Sequence, residues 1–166
     1  MDYTIGPVWQ NVDAALEQEL VDFWIAEKVF ATEGPARARA GEVVCVGRAP
    51  DGKIAGVCSV VPRILPRLRE RMYYYRSYVR AADRKQGLAL QLLKSAKEPL
   101  QAFQAALPKP RVIGIVLEIE NRAVATYHNE AFWRLTGYTF IGYSPRGFDM
   151  RVQYFDGARL QRLRPA

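Results

Sequence analysis

VRAADRKQGLALQLL, residues 79–93, is the stretch that decides how the chain reads. It follows a strand-like run, MYYYRSYV (72–79), passes through polar and small residues to one glycine, and turns at once into an apolar helix pattern. At a strand-to-helix turn the first helical N–H groups lack partners and the helix dipole adds partial positive charge, so a phosphate is the natural guest. Gly87 lets the backbone approach an anion with no Cβ in the way, and Ala89 keeps the next position small. Arg84 and Lys85 add neutralising charge, while Leu88, Leu92 and Leu93 anchor the helix to the sheet below. The dinucleotide signature G-x-G-x-x-G and the nucleotide P-loop G-x-x-x-x-G-K-[ST] are both absent.

Outward from this turn the chain alternates strands and helices. YTIGPVW (3–9) reads as a first strand. From Asp13, AALEQELVDFWIAEKVF places Leu16, Leu20, Phe23, Trp24 and Phe30 on one helix face, with Asn11 or Asp13 as cap. Glu33-Gly34-Pro35 is expected to stop that helix, with ARARA (36–40) as a short second one. EVVCVGR and KIAGVCSVV flank Ala49-Pro50-Asp51-Gly52 and form a hairpin over 42–61. A type I turn with Gly52 in a bulge would pair Cys45 with Val57 and put the two sulfurs on opposite faces; a two-residue turn would oppose Cys45 and Cys58.

Arg63 to Arg71 reads as an arginine-rich loop, then strand to Val79, and helix from Gln86 to about Lys97 with a kink or restart at Pro99. RVIGIVLEI (111–119) has the continuous, branched apolar character of a buried strand. Helix is expected from Ala123 to Leu135, then a closing hairpin of TFIGY, the loop SPRGF, and DMRVQYF. Single helices between strands argue for a mixed sheet covered on both faces.

With 166 residues and 49% hydrophobic content, one globular domain with a full-sized core is expected. No apolar run approaches the ~20 residues that span a bilayer, so no membrane partner is expected. The first residues do not read as a secretion signal. Two cysteines match no metal-ligand spacing and make no disulfide framework; no metal site and a reducing, cytoplasmic setting are expected. A net charge of +7 favours anionic partners without choosing among phosphate cofactors, nucleic acid and membrane surfaces.

R-x-x-G-x-A at 84–89 resembles the coenzyme A signature of the GNAT acetyltransferase superfamily. The family's longer phrase, V-x-P-x-x-R-x-x-G-x-[GA]-x-x-L-L, matches 79–93 apart from Ala81 where proline is usual. Its second hallmark looks like Asn121, Ala123, Tyr127 and Gly137-Tyr138; counted from Asn121 the family's tyrosine falls on His128, and counted back from Gly137 on Trp133. The resemblance implies a GNAT-like α/β domain over 1–166, with a central mixed, mostly antiparallel twisted sheet and helices on both faces. It also implies transfer of an acyl group, acetyl by default, from acetyl-CoA to a primary amine by direct attack. Arg84, Lys85, Gln86, Gly87, Leu88 and Ala89 would hold the pyrophosphate, a backbone N–H near Val79 would bind the oxyanion, and Asn121 would touch the pantetheine or nucleotide half.

For proton transfer, Glu118 and Glu120 share one strand face and are the nearest candidate bases. Tyr127 is the favoured acid, with His128 second; Trp133 has no useful proton to give. The acceptor is a small-molecule or protein amine, selected in these folds by the early helices and last hairpin loop, here 23–39 and 144–148. Two other readings stand beside this one: a non-catalytic acyl-CoA-binding module, and a basic RNA- or ribosome-binding protein, although nucleic acid is the weaker partner class. Assembly as a homodimer stays open.

Overall fold

The computed structural model describes residues 2–161. Its elements run β1 (Thr4–Pro7), α1 (Ala14–Ala26), α2 (Glu33–Ala40), β2 (Val43–Arg48), β3 (Ile54–Leu65), β4 (Glu70–Val79), α3 (Leu88–Ala106), β5 (Gly114–Ile119), α4 (Arg122–Tyr127), β6 (Phe132–Trp133), β7 (Tyr138–Tyr143) and β8 (Asp149–Tyr154). The strands form a mostly antiparallel sheet in the order β1-β2-β3-β4-β5-β8-β7-β6, flanked by helices. β4 and β5 run parallel, pairing Tyr73 with Ile115 and Tyr74 with Val116. Two compact units divide the chain: one comprises the segment up to Val60 with Arg76–Leu100, the other Val61–Tyr75 with the segment from Gln101.

In the first unit, α1 is capped as expected: the Asp13 carboxylate accepts from the Leu16 N–H at 2.8 Å. The helix buries Leu20, Val21, Phe23 and Trp24. It stops at Ala26, before the expected Phe30, because Lys28 adopts a left-handed conformation (φ 57°). The Lys28 N–H then reaches the Ile25 carbonyl and the Val29 N–H the Trp24 carbonyl, which satisfies the helix end. Glu33-Gly34-Pro35 opens α2 instead of closing α1, since proline in a first turn gives up no helical hydrogen bond.

The β2–β3 hairpin has the expected turn, with Gly52 at φ 80° and its N–H bonded to the Ala49 carbonyl. A register shift between Gly47 and Arg48 then pairs Gly47 with Gly56 and Cys45 with Cys58, which corrects the expected Cys45–Val57 pairing. The shift places two glycines opposite each other, and Leu88 of α3 fills the notch. A Cβ at Gly47 would lie 2.8 Å from a Leu88 methyl, and one at Gly56 3.1 Å from the other. The two sulfurs face α3 together, not opposite ways. Cys45 Sγ donates to the Ser95 carbonyl at 3.6 Å and Cys58 Sγ to the Leu92 carbonyl at 3.9 Å, and both are buried free thiols.

Pro99 does not break α3, which runs 19 residues without interruption. Proline at 99 removes the N–H that would bond Ser95, and the Cys45 thiol uses that carbonyl instead.

In the second unit, Leu65, Met72, Ile113, Val116 and Val152 form the core. The arginine-rich segment is mostly strand: β3 continues to Leu65 and β4 starts at Glu70, so only 66–69 turn. Buried Gln104 accepts from the N–H groups of Arg111 (2.9 Å) and Val112 (3.1 Å) and donates to the Tyr73 hydroxyl at 2.7 Å. The helix expected over 123–135 is only six residues long. Beyond it the chain wraps the guanidinium of Arg151, which is 1% exposed and lies 4.1 Å from the Trp133 ring centre. That cation needs acceptors, and the Glu130 (2.7 Å) and His128 (3.2 Å) carbonyls supply them only because they are outside a helix.

Candidate active site

The turn at 84–89 lies in the first unit. Leu88, seated in the glycine notch, fixes where α3 starts, and Gly87 immediately before it has φ 80°. Lys85 is left-handed as well, at φ 63°. A Cβ at Gly87 would meet nothing within 4 Å, so the backbone here borders open space. Gly87 accepts the α3 bond from Gln91 at 3.1 Å, which leaves the N–H groups of the next residues as the helix's unpaired donors. Arg84, Lys85, Gln86 and Ala89 are all exposed around it.

The strand end before the turn is tied down by residues that the sequence reading passed over. Asp83 is 3% exposed, ion-paired to Arg80, and accepts from the Tyr3 hydroxyl at 3.0 Å. Arg80 holds its carboxyl below the usual range. Glu27, at the end of α1, accepts from the Ala81 N–H (3.0 Å) and the Tyr78 hydroxyl (3.1 Å). Arg84 folds back on this strand end, donating to the Val79 carbonyl (3.2 Å) and the Tyr78 hydroxyl (3.1 Å). The readable signal for Asp83 was an acid spaced i,i+3 from Arg80 inside a basic turn.

The second unit holds Glu118, Glu120, Asn121, Tyr127 and His128. Glu118, with a side chain 8% exposed, accepts from the Tyr74 hydroxyl at 2.6 Å and pairs with Arg146 at 2.9 Å; Arg146 also pairs with Glu120. One guanidinium thus joins both carboxylates. Its hydrogen bonds hold Glu118 down at about 2, against burial, while burial and the Glu118 carboxylate push Tyr74 up to about 12. Asn121 caps α4, accepting from the Ala123 (3.0 Å) and Val124 (3.3 Å) N–H groups. Tyr127, the last residue of α4, is 80% exposed. The exposed His128 ring lies edge-on to Trp133, whose indole N–H donates to the His128 carbonyl at 2.8 Å.

Tyr74, Glu118 and Arg146 line a cavity of about 580 Å³ walled by Leu65, Val116, Ile141 and Met150 and by Ser144 of the last hairpin loop. Arg146, the residue that organises it, had no local signal beyond its place in that loop.

The clamp makes a prediction about acid stability. Glu118 has a folded pKa of about 2 against an ordinary 4.5, so its contribution is complete above about pH 4.5 and is lost as pH falls toward 2. Discounted for the half-exposed Arg146, it amounts to about 2 kcal/mol. Urea unfolding should show Glu118→Gln less stable than the parent by that amount at pH 7, with the gap narrowing by pH 3.

No protein-family model and no curated protein matches the chain. Solved structures do. A GNAT superfamily phosphinothricin acetyltransferase from Sinorhizobium meliloti, in complex with AcCoA, superposes with TM-score 0.65 at 13% identity, over 100% of this chain and 94% of that one. A GNAT-family acetyltransferase from Streptococcus pneumoniae gives 0.61 at 16% identity, over 92% and 99%. The ribosomal-protein-S18-alanine N-acetyltransferase from Escherichia coli gives 0.55 at 14%, over 99% and 100%. The chain has the fold of the GNAT acetyltransferases. No helix among the described residues is long and apolar enough to cross a membrane.

Proposed function

We propose that the protein is an acyl-CoA-dependent N-acyltransferase that moves acetyl from acetyl-CoA to a primary amine. The observation that carries this reading is the turn: left-handed Lys85 and Gly87, open space at the glycine, and Leu88 fixing the helix start, in a chain with this fold. A solved neighbour with the same fold holds AcCoA. The N–H groups of the first turn of α3, which have no partner within the helix, fit a pyrophosphate, with Lys85 and Gln86 beside it and Leu88 and Ala89 shaping the helix start. The thioester supplies the activated acyl group. The amine nitrogen forms the new bond to the carbonyl carbon, the C–S bond breaks, the ammonium gives up a proton and the departing thiolate takes one. Orienting the two reactants and binding the oxyanion, with an N–H near Val79, account for most of the rate.

Glu118, ionised down to about pH 2, is a poor proton acceptor; its part is to hold Tyr74 and Arg146. The base is then Glu120 or a water. Asn121 acts through the start of α4, which carries Tyr127 as acid. The buried free thiols fit a reducing, cytoplasmic setting.

Calorimetric titration with acetyl-CoA tests the reading. Binding should raise the thermal midpoint, by about 2.7 kcal/mol of stabilisation at 100 times the dissociation constant. An amine panel read by free thiol should then find an acceptor. No binding at millimolar acetyl-CoA would overturn the proposal. The exposed, unbonded Tyr127 favours one second reading, a binding module without catalysis. Acetyl-CoA binding with no thiol released by any amine would select it.

A further inference from the structure

The cavity in the second unit has more charge than its clamp uses. Glu118 and Glu120 are satisfied by Arg146, which leaves Arg63 and Arg67 on the lining without a carboxylate partner among the described residues. Arg67 is seated in a fixed place. Its Nη1 donates to the Ile141 carbonyl, and its guanidinium crosses Gly142 so closely that a Cβ there would lie 1.8 Å from Nη1. Gly142, at φ 116°, provides both the bend and the room. With one of five N–H donors used, the outer edge of the fork is open to a ligand. The Arg63 guanidinium lies over the Tyr74 ring, 4.6 Å from its centre, and this cation–π contact holds it at the wall. Apart from the Glu118–Arg146–Tyr74 clamp, Ser144 and Tyr143, the rest of the wall is apolar, and about 580 Å³ suits a small molecule.

We infer that this cavity takes the acceptor, and that the acceptor joins a carboxylate to an apolar body: a free amino acid with an apolar side chain, its carboxylate on Arg67 and Arg63. Planar guanidinium forks match a carboxylate in bidentate geometry. The fate of the amine rests on the acyl-transfer reading; the binding argument does not.

The test is calorimetry on the full chain without acetyl-CoA. Phenylalanine and leucine are compared with phenethylamine and isoamylamine, which lack the carboxylate, and with O-phosphoethanolamine, which lacks the apolar body. The amino acids should bind about 10–100-fold more tightly than their decarboxylated counterparts, the range for charged hydrogen bonds. Arg67→Gln, which keeps a donor for the Ile141 carbonyl, should erase that preference, and Arg63→Ala should reduce it. Equal binding of phenylalanine and phenethylamine, tighter binding of O-phosphoethanolamine, or no binding of any of the five at millimolar concentration would overturn the inference. So would an intact preference in Arg67→Gln. If the amino acids bind in this pattern and acetyl-CoA does not, the acyl-transfer reading falls and the cavity assignment stands.

Discussion

Gly87→Glu is expected to abolish acetyl-CoA binding, weakening it by about 10²–10³-fold, while the protein stays folded. Two effects combine. A side chain enters the space where the pyrophosphate would meet the bare backbone, and a carboxylate at ~4 Å from a phosphate in a partly exposed site adds roughly 1–4 kcal/mol of repulsion. The φ of 80° also matters, because any L residue is strained there by about 1–2 kcal/mol. Gly87→Ala is therefore the necessary control. It has the same backbone strain, and the open space around Gly87 means that its methyl clashes with nothing. Both variants should lose a similar, small amount of thermal stability; the alanine should weaken the ligand only mildly, and the glutamate should lose it. Arg84→Ala should be milder, since Arg84 spends its donors on Val79 and Tyr78. If calorimetry shows Gly87→Glu binding acetyl-CoA as the parent does, the phosphate site is elsewhere.

The turn could be read from sequence because its requirements are local: a glycine with positive φ, flanking cations and an apolar helix, all within six to fifteen residues. The order of strands and helices was legible for the same reason, since periodicity is a short-range property. What escaped the reading depends on distant partners. The bulge that pairs Gly47 with Gly56 makes room for Leu88, some forty residues on, and it reversed the expectation for Cys45 and Cys58. α1 ends at a left-handed lysine, where the usual signal would be glycine. α3 continues through Pro99 with the freed Ser95 carbonyl taken by a thiol from β2. The helix expected to Leu135 yields to a loop that feeds carbonyls to buried Arg151.

The candidate site divides in the same way. Glu118 and Glu120 share a face, as strand periodicity requires, and one arginine bonds both. That Arg146 is this arginine, and that it makes Glu118 a weak base, depends on a loop side chain whose direction no pattern announces. Gly142 reads as an ordinary strand glycine until Arg67 is found lying across it.

The remaining expectation concerns the proton returned to the thiolate. Asn121 caps α4 with both N–H bonds of the first turn, so the helix register is set from that residue. Tyr127 and His128 follow as its last residue and its C-cap, about 100° apart around the axis. Trp133, the other position indicated by counting, gives its indole N–H to the His128 carbonyl and its face to Arg151, so its part is structural. Of the two remaining groups, Tyr127 presents a phenolic O–H donor at the surface, whereas the His128 ring packs edge-on against Trp133. Tyr127 is also free to meet a ligand: it is 80% exposed and has no packing role to lose. Tyr127→Phe should therefore lower kcat by roughly 10–10³-fold with acetyl-CoA affinity and thermal midpoint nearly unchanged, the pattern of an interaction made only in the transition state. His128→Ala should leave kcat within about twofold, because the role of His128 in the fold is played by its backbone carbonyl, which the substitution keeps. Full activity in Tyr127→Phe with a loss in His128→Ala would reverse the assignment. Full activity in both would make water the proton source.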